Sequence, residues 1–369
     1  MTLKVLCVAG TRPEAIKMAP VILALKHDGA FAVRVLATAQ HRQMLDQVFV
    51  AFGIVPDIDL NIMQPNQSLP ALTARLLTSL DAVLQAERPD VVLAQGDTTT
   101  VMTVALACFY LRIPFGHVEA GLRTGNMQSP FPEEMNRVLA GRLARWHFAP
   151  TASARDNLLQ EQVAEETVWV TGNTVIDALY SISATPLPLD LPLDASKRLI
   201  LVTAHRRENF GAPYREICRA VKHIVNANPD VQVLYPVHPN PNIQATAYAL
   251  LGDAPRVILC APLDYVPFVA AMQRAYIILS DSGGVQEEAP ALGKPVLVLR
   301  DQTERPEAVH AGVVKLVGPQ FEAIVRECQL LLDDGAAYRA MARGVSPYGD
   351  GKASQRICQV LRDHAAQCS

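Results

Sequence analysis

Short apolar runs alternate with helix-forming stretches from one end of the chain to the other, and this alternation limits the fold more than any other feature. The first half offers strand-like runs at 4–9, 32–38, 91–94, 114–118, 147–149 and 168–171. The second half offers them at 198–203, 231–236, 256–260, 276–280, 295–299 and 313–317. Apolar strands separated by helices are buried on both faces, which is the pattern of parallel, helix-covered sheets. Between the two sets lies Thr185-Pro186-Leu187-Pro188-Leu189-Asp190-Leu191-Pro192. Prolines this dense suit a linker or an exposed loop. The pattern predicts an α/β protein of two doubly wound, Rossmann-like domains, 1–175 and 176–350, joined near 175–195, with a helix at 353–366. At 369 residues the chain is long enough for both. Ligands of such sheets bind outside the carboxyl ends of strands, so the crevice between the domains is the expected site.

Composition narrows the partners. Half the residues are hydrophobic, 19% are charged and the net charge is −3, a balance that favours neither nucleic acid nor an anionic membrane surface. The apolar run 101–111 is too short to span a bilayer, and residues 1–8 read as a strand rather than a signal peptide. Seven cysteines are scattered without a CxxC, which suggests buried free thiols in a reducing cytoplasm. No His/Cys group has metal-ligand spacing, so no metal is expected.

Chemistry gathers where strands end. The run 276–280 passes directly into Asp281-Ser282-Gly283-Gly284 and then a helical stretch carrying Glu288 about one turn in. Two glycines allow backbone N–H groups to approach a ligand, and a helix N-terminus favours phosphate. A carboxylate at Glu288 suits the two hydroxyls of a ribose. Tight packing alone also explains a Gly-Gly corner. The first strand ends in Gly10-Thr11-Arg12-Pro13-Glu14, with Lys17 beyond. A GxGxxG cradle is missing there, which argues against a nicotinamide cofactor. Arg12 and Lys17 suit a phosphate or a departing diphosphate, or serve only in surface salt bridges. Asp97 and Glu119 each follow a strand, and Glu133 follows a proline-stiffened loop. Clustered carboxylates push one another's pKa values apart and make acid and base from like groups. Asp97 also suits a helix N-cap, and Glu119 an ion pair with Arg123. His205 stands at a strand end beside Arg206 and Arg207, as a proton carrier, a phosphate ligand or a structural histidine. Arg305 offers another anion contact or belongs to an ordinary polar loop.

Taken in order, these motifs form a series. It runs GTRPEAIKMAP at 10–20, TAQHRQMLDQV at 38–48, GDTTT at 96–100, GHVEAGLRT at 116–124 and SPFPEEMNR at 129–137. It continues with TGNTVIDAL at 171–179, TAHRREN at 203–209, DSGGVQEEAP at 281–290 and TERPEAV at 303–309. The series resembles the bacterial non-hydrolysing UDP-N-acetylglucosamine 2-epimerases over nearly the whole chain. The resemblance implies a GT-B fold with the active site in the interdomain cleft. It implies a last helix, 351–369, that crosses back to the first domain, and a homodimer. It implies UDP-GlcNAc, UDP-ManNAc and UDP as partners, with no cofactor. C2 epimerisation then proceeds by loss of UDP to a 2-acetamidoglucal and re-addition on the other face. The family's catalytic residues match Asp97, Glu119, Glu133 and His205. Its substrate contacts match Arg12, Lys17, Arg137, His205, Phe268, Ser282, Gly283, Gly284, Glu288 and Arg305. A second, activating UDP-GlcNAc site matches Gln40, His41, Gln43, Gln67, Arg206 and His238. Asn66 stands where some members carry Arg, Leu263 where Gln is frequent, and Gln95 where His is frequent.

Overall fold

The computed structural model describes residues 2–38, 42–62, 64, 67–303 and 305–367. They form two compact units, Met1–Ser181 with Tyr348–Ser369, and Ile182–Pro347.

The first unit is one parallel sheet of seven strands. They are β1 (Leu3–Ala9), β2 (Phe31–Ala37), β3 (Ile58–Asp59), β4 (Val91–Gln95), β5 (Phe115–Val118), β6 (Trp146–Ala149) and β7 (Val168–Val170), in the order β3-β2-β1-β4-β5-β6-β7. Cys7 pairs with Val35 on one side and Leu93 on the other, so β1 is central and buried. The helices follow from their sequence. Thr11 caps Arg12–His27 in a capping box, accepting from the Glu14 N–H while Glu14 accepts the Thr11 N–H at 2.8 Å. In Leu69–Glu87, Leu72, Leu76, Leu80 and Leu84 recur every fourth residue and all are buried. Each such leucine contributes about 1.5–3 kcal/mol of burial, which docks that helix on the sheet.

The second unit holds six parallel strands: β8 (Arg198–Thr203), β9 (Val231–Pro236), β10 (Val257–Cys260), β11 (Ile277–Ser280), β12 (Val296–Val298) and β13 (Val314–Leu316). Their order is β10-β9-β8-β11-β12-β13. The Ala212–Ala227 helix buries Ile217, Val221, Ile224 and Val225 against this sheet.

Both sheets reverse direction of growth at a single point, between β1 and β4 in the first and between β8 and β11 in the second. Crossovers leave on opposite faces there and open a crevice at the strand ends.

Chain division differs from the sequence expectation of 175 and 350. The Thr174–Ser183 helix stays with the first unit up to Ser181, and there its Asp177 accepts the N–H groups of Ala353 and Ser354, at the start of the Ala353–Gln367 helix. That last helix packs on Arg12–His27, and Arg362 donates to Asp28 there. The proline-rich stretch 185–192 belongs to the second unit. Among the described residues no helix is long and apolar enough to cross a membrane.

Candidate active site

The switch point of the first sheet carries three turns. After β1 comes Gly10-Thr11-Arg12, after β4 Gly96-Asp97, and after β5 Glu119. Neighbouring strands bring these turns together: Gln95 pairs with Val118, and the Gly96 N–H donates to the Val118 carbonyl at 3.0 Å. Lys17, on the Arg12–His27 helix, donates to Glu119 at 2.5 Å, and both side chains are largely buried. Glu119 is held at φ +64°, in the left-handed region, which costs a non-glycine residue about 1–3 kcal/mol. The turn leaves no choice two residues later. A Cβ on Gly121 stands 2.2 Å from the Ala154 carbonyl oxygen. Asp97 faces Arg137 at 3.4 Å, and Arg137 also faces the buried Glu134 at 3.3 Å. Asn136 donates to the Asp97 carbonyl at 2.9 Å. The Glu133–Leu143 helix therefore carries Glu133 at its first position and fastens the Asp97 turn from its fourth and fifth, Asn136 and Arg137.

Two readings of single residues are corrected. Asp97 is not the cap of the following helix: Thr98 is, accepting from the Val101 N–H and donating to Glu14 at 2.5 Å. Glu119 does not pair with Arg123, whose guanidinium is taken by Glu161 at 2.7 and 3.0 Å.

Glu14 had no assigned role, yet it ties the first two turns together. Its Oε2 accepts from the N–H groups of Gly10 and Thr11, and its Oε1 from Thr98. Burial raises its pKa, and the nearby Asp97 charge adds to the effect. Glu134 is equally hidden from sequence reasoning. It faces inward and accepts the N–H groups of Thr124 and Gly125 at 3.0 and 3.1 Å.

The second switch point is built for an anion. β11 runs into Asp281, Ser282 stands at the N-cap position of the Gly283–Ala291 helix without a side-chain capping bond, and Gly283 opens the helix. A Cβ placed on Gly283 lies 3.7 Å from the Arg305 guanidinium and 3.8 Å from that of Arg206. Two cations therefore flank a helix N-terminus at a residue without a side chain, the arrangement that receives phosphate. Glu287 holds Arg305 in place at 2.6 Å, and Thr303 is fixed to the buried Gln286 at 2.6 Å. Glu288, the sixth residue of this helix and so about one turn in as the sequence suggested, is buried. Tyr265 donates to its Oε1 at 2.8 Å, a contact that sequence separation hides. Phe268, half-buried, lies on the same Tyr265–Arg274 helix.

His205 follows β8. Its ring stacks on His238 with centroids 5.6 Å apart, and its Nδ1 lies 3.5 Å from Asp281. Burial lowers its pKa; His238 and Arg206 lower it further, while Asp281 opposes them. The neutral ring is thus favoured. Of the remaining residues matched by resemblance, Gln67 accepts from Arg75 at 2.9 Å. Gln40, His41 and Asn66 lie outside the described residues, as does the Gln43 side chain.

The comparisons agree with this architecture. The profile of the UDP-N-acetylglucosamine 2-epimerase family matches residues 23–362. The chain is 54% identical over 372 residues to the UDP-N-acetylglucosamine 2-epimerase of Escherichia coli strain K12, covering 98% of this chain and 99% of that one. It is similar to the crystal structure of the Neisseria meningitidis UDP-GlcNAc 2-epimerase bound to UDP-GlcNAc, with TM-score 0.89, 48% identity, and 98% and 100% of the two chains covered. A glycotransferase of kitacinnamycin, 13% identical with TM-score 0.67 over 98% and 99% of the chains, shares the fold alone. Two doubly wound parallel units of this kind make a GT-B-like α/β protein. With its motifs, its two switch points and its matched length, the chain belongs to the UDP-N-acetylglucosamine 2-epimerase family.

Proposed function

We infer that this chain interconverts UDP-N-acetylglucosamine and UDP-N-acetylmannosamine without net hydrolysis. The observation that carries the reading is the division of chemistry between the two switch points. The second unit offers an anion-receiving helix N-terminus, with Arg305 and Arg206 beside Gly283 and Glu288 behind. The first offers a carboxylate–cation set, Glu119 with Lys17 and Asp97 with Arg137. In this reading the diphosphate rests on Ser282, Gly283, Gly284 and Arg305, the ribose hydroxyls donate to Glu288, and Phe268 lies against the base. Arg12 and Lys17 attend the diphosphate as it leaves.

The C2 proton is not acidic, so direct removal to a carbanion is unfavourable. Elimination avoids that. A base takes the C2 proton, the C1–O bond breaks, and its electron pair leaves with UDP. The product is 2-acetamidoglucal. A proton then reaches C2 from the opposite face while a diphosphate oxygen bonds C1 again. Asp97, Glu119, Glu133 and His205 are the proton carriers of this scheme. The reading extends to a cytoplasmic homodimer, and to an activating second UDP-GlcNAc site that includes His238 and Arg206.

Incubation with UDP-GlcNAc in D2O tests it. Epimerisation without hydrolysis yields UDP-ManNAc with deuterium at C2. Free ManNAc and UDP as the only products overturn the non-hydrolysing reading, and binding without turnover overturns the enzyme. Asp97→Asn and Glu119→Gln are expected to keep UDP binding and lower turnover by roughly 10²–10⁴. Near-normal turnover in both removes these carboxylates from the chemistry.

A further inference from the structure

Asp281 has no exposed surface. It stands between β11 and Ser282, at the root of the anion-receiving turn, where no ligand can reach its carboxylate. The turn after β8 fills that carboxylate instead. The His205 N–H lies 3.1 Å from Oδ1 and 2.9 Å from Oδ2. The Arg206 N–H donates to Oδ2 at 2.8 Å, and the Asn209 side-chain amide donates to it at 3.0 Å. The imidazole of His205 lies over the same group, with Nδ1 3.5 Å from Oδ1. The peptide just before His205 is held from the other side. Tyr235 donates to the Ala204 carbonyl at 3.1 Å, and the Tyr214 and Tyr235 hydroxyls bond each other at 2.5 Å, all buried.

We propose that Asp281 is the positioning residue of His205, fixing the backbone of its turn and turning ring Nδ1 toward a buried anion, so that the proton rests on Nδ1 and Nε2 keeps its lone pair for the reaction. An isolated buried carboxylate is unfavourable, and this one is matched by N–H donors from His205, Arg206 and Asn209. Asparagine fits poorly there: it has one acceptor oxygen, and its NH2 group meets N–H donors. The charge also acts on the ring. Of the groups facing His205, Asp281 favours the protonated ring, while His238 and Arg206 disfavour it. In this role Asp281 touches neither substrate nor reacting atoms. The proposal rests on His205 being catalytic, as the epimerase reading has it.

The test is the tautomer of His205 in the full chain, read by long-range 1H–15N correlation and assigned with His205→Gln. The expected wild-type ring is neutral near pH 7 and carries its proton on Nδ1. In Asp281→Asn the population is expected to move toward Nε2–H, and the His205 titration midpoint to fall. The limb of the pH–kcat/KM profile that belongs to His205 moves to lower pH with it, and kcat drops about 10- to 100-fold. A role in folding alone moves neither tautomer nor limb. A wild-type Nε2–H tautomer overturns the proposal, as does an unchanged midpoint and profile in folded Asp281→Asn. Should Asp281→Asn not fold, Asn209→Ala removes one donor from the carboxylate, and the wild-type tautomer still decides. A wild-type chain inactive on UDP-GlcNAc sinks the epimerase reading, while the same NMR sample still decides for or against Asp281.

Discussion

His117 shows how much a single buried side chain contributes to the first switch point. Its Nε2 donates to the Gly96 carbonyl at 2.7 Å and so links the strand that leads to Glu119 with the turn that leads to Asp97. The ring is buried, and burial above all pushes its pKa down to about 3. The sign follows. In the unfolded chain this histidine takes a proton below about pH 6.5. In the folded chain it stays neutral until about 3. Its stabilising contribution is complete above the unfolded value and drains away as pH falls toward the folded one, at about 1.4 kcal/mol per pH unit. His147 is shifted the same way by burial. The chain's two tryptophans, Trp146 and Trp169, both lie in the first unit, so their fluorescence reports its urea unfolding alone. The midpoint is expected to fall between pH 7 and pH 5, and His117→Phe to flatten that fall. An equal slope in the variant would refute the assignment. None of this is legible in the sequence, where His117 is one polar residue in an apolar run. Tyr265 with Glu288 and Asp281 with His205 are hidden for the same reason, since their partners are distant in the chain. The strand-end residues were legible because an apolar run that stops at a turn announces itself locally.

At the level of elements, every run read as strand-like becomes a strand, while the apolar run 101–111 becomes the Thr99–Tyr110 helix. β3 was not foreseen, because two residues on a sheet edge carry no periodic signal. The corner between β11 and the Gly283–Ala291 helix is where element and ligand meet, and Gly283 separates their demands. A Cβ there makes only ordinary contacts with Arg305 and Arg206, so alanine fits the fold. Alanine also has the better helix propensity, by up to about 1 kcal/mol. That same methyl group fills the space between two guanidiniums where a diphosphate is proposed to lie. Gly283→Ala is therefore expected to leave thermal stability equal or higher while weakening UDP at least about tenfold, a cost of about 1.4 kcal/mol or more. Calorimetry against UDP decides. Unchanged affinity removes the diphosphate from this corner, and a large loss of stability shows that packing alone required the glycine.

The whole molecule is organised by a chain that leaves its first unit at 181 and returns to it at 348. Asp177 secures the return by accepting the N–H groups of Ala353 and Ser354 at 3.2 and 2.8 Å, a cap supplied from another helix. Asp177→Ala is expected to cost about 1–2 kcal/mol, the usual loss for a helix cap. Amide exchange should quicken along Ala353–Gln367 and stay as it was in the second sheet. Exchange that is unchanged in that helix removes Asp177 from the latch. The proline-rich stretch suggested a division near 175–195, but composition could not reveal which neighbour the Thr174–Ser183 helix serves, because that depends on residues more than a hundred and seventy positions later. This discontinuity reverses the order in which the molecule can be finished. A ribosome releases residues 182–347 as a complete sheet and core while the unit it began first still lacks its closing helix. During synthesis the older half of the protein waits on residues made after the whole second unit, with the flank of Arg12–His27 uncovered until they emerge.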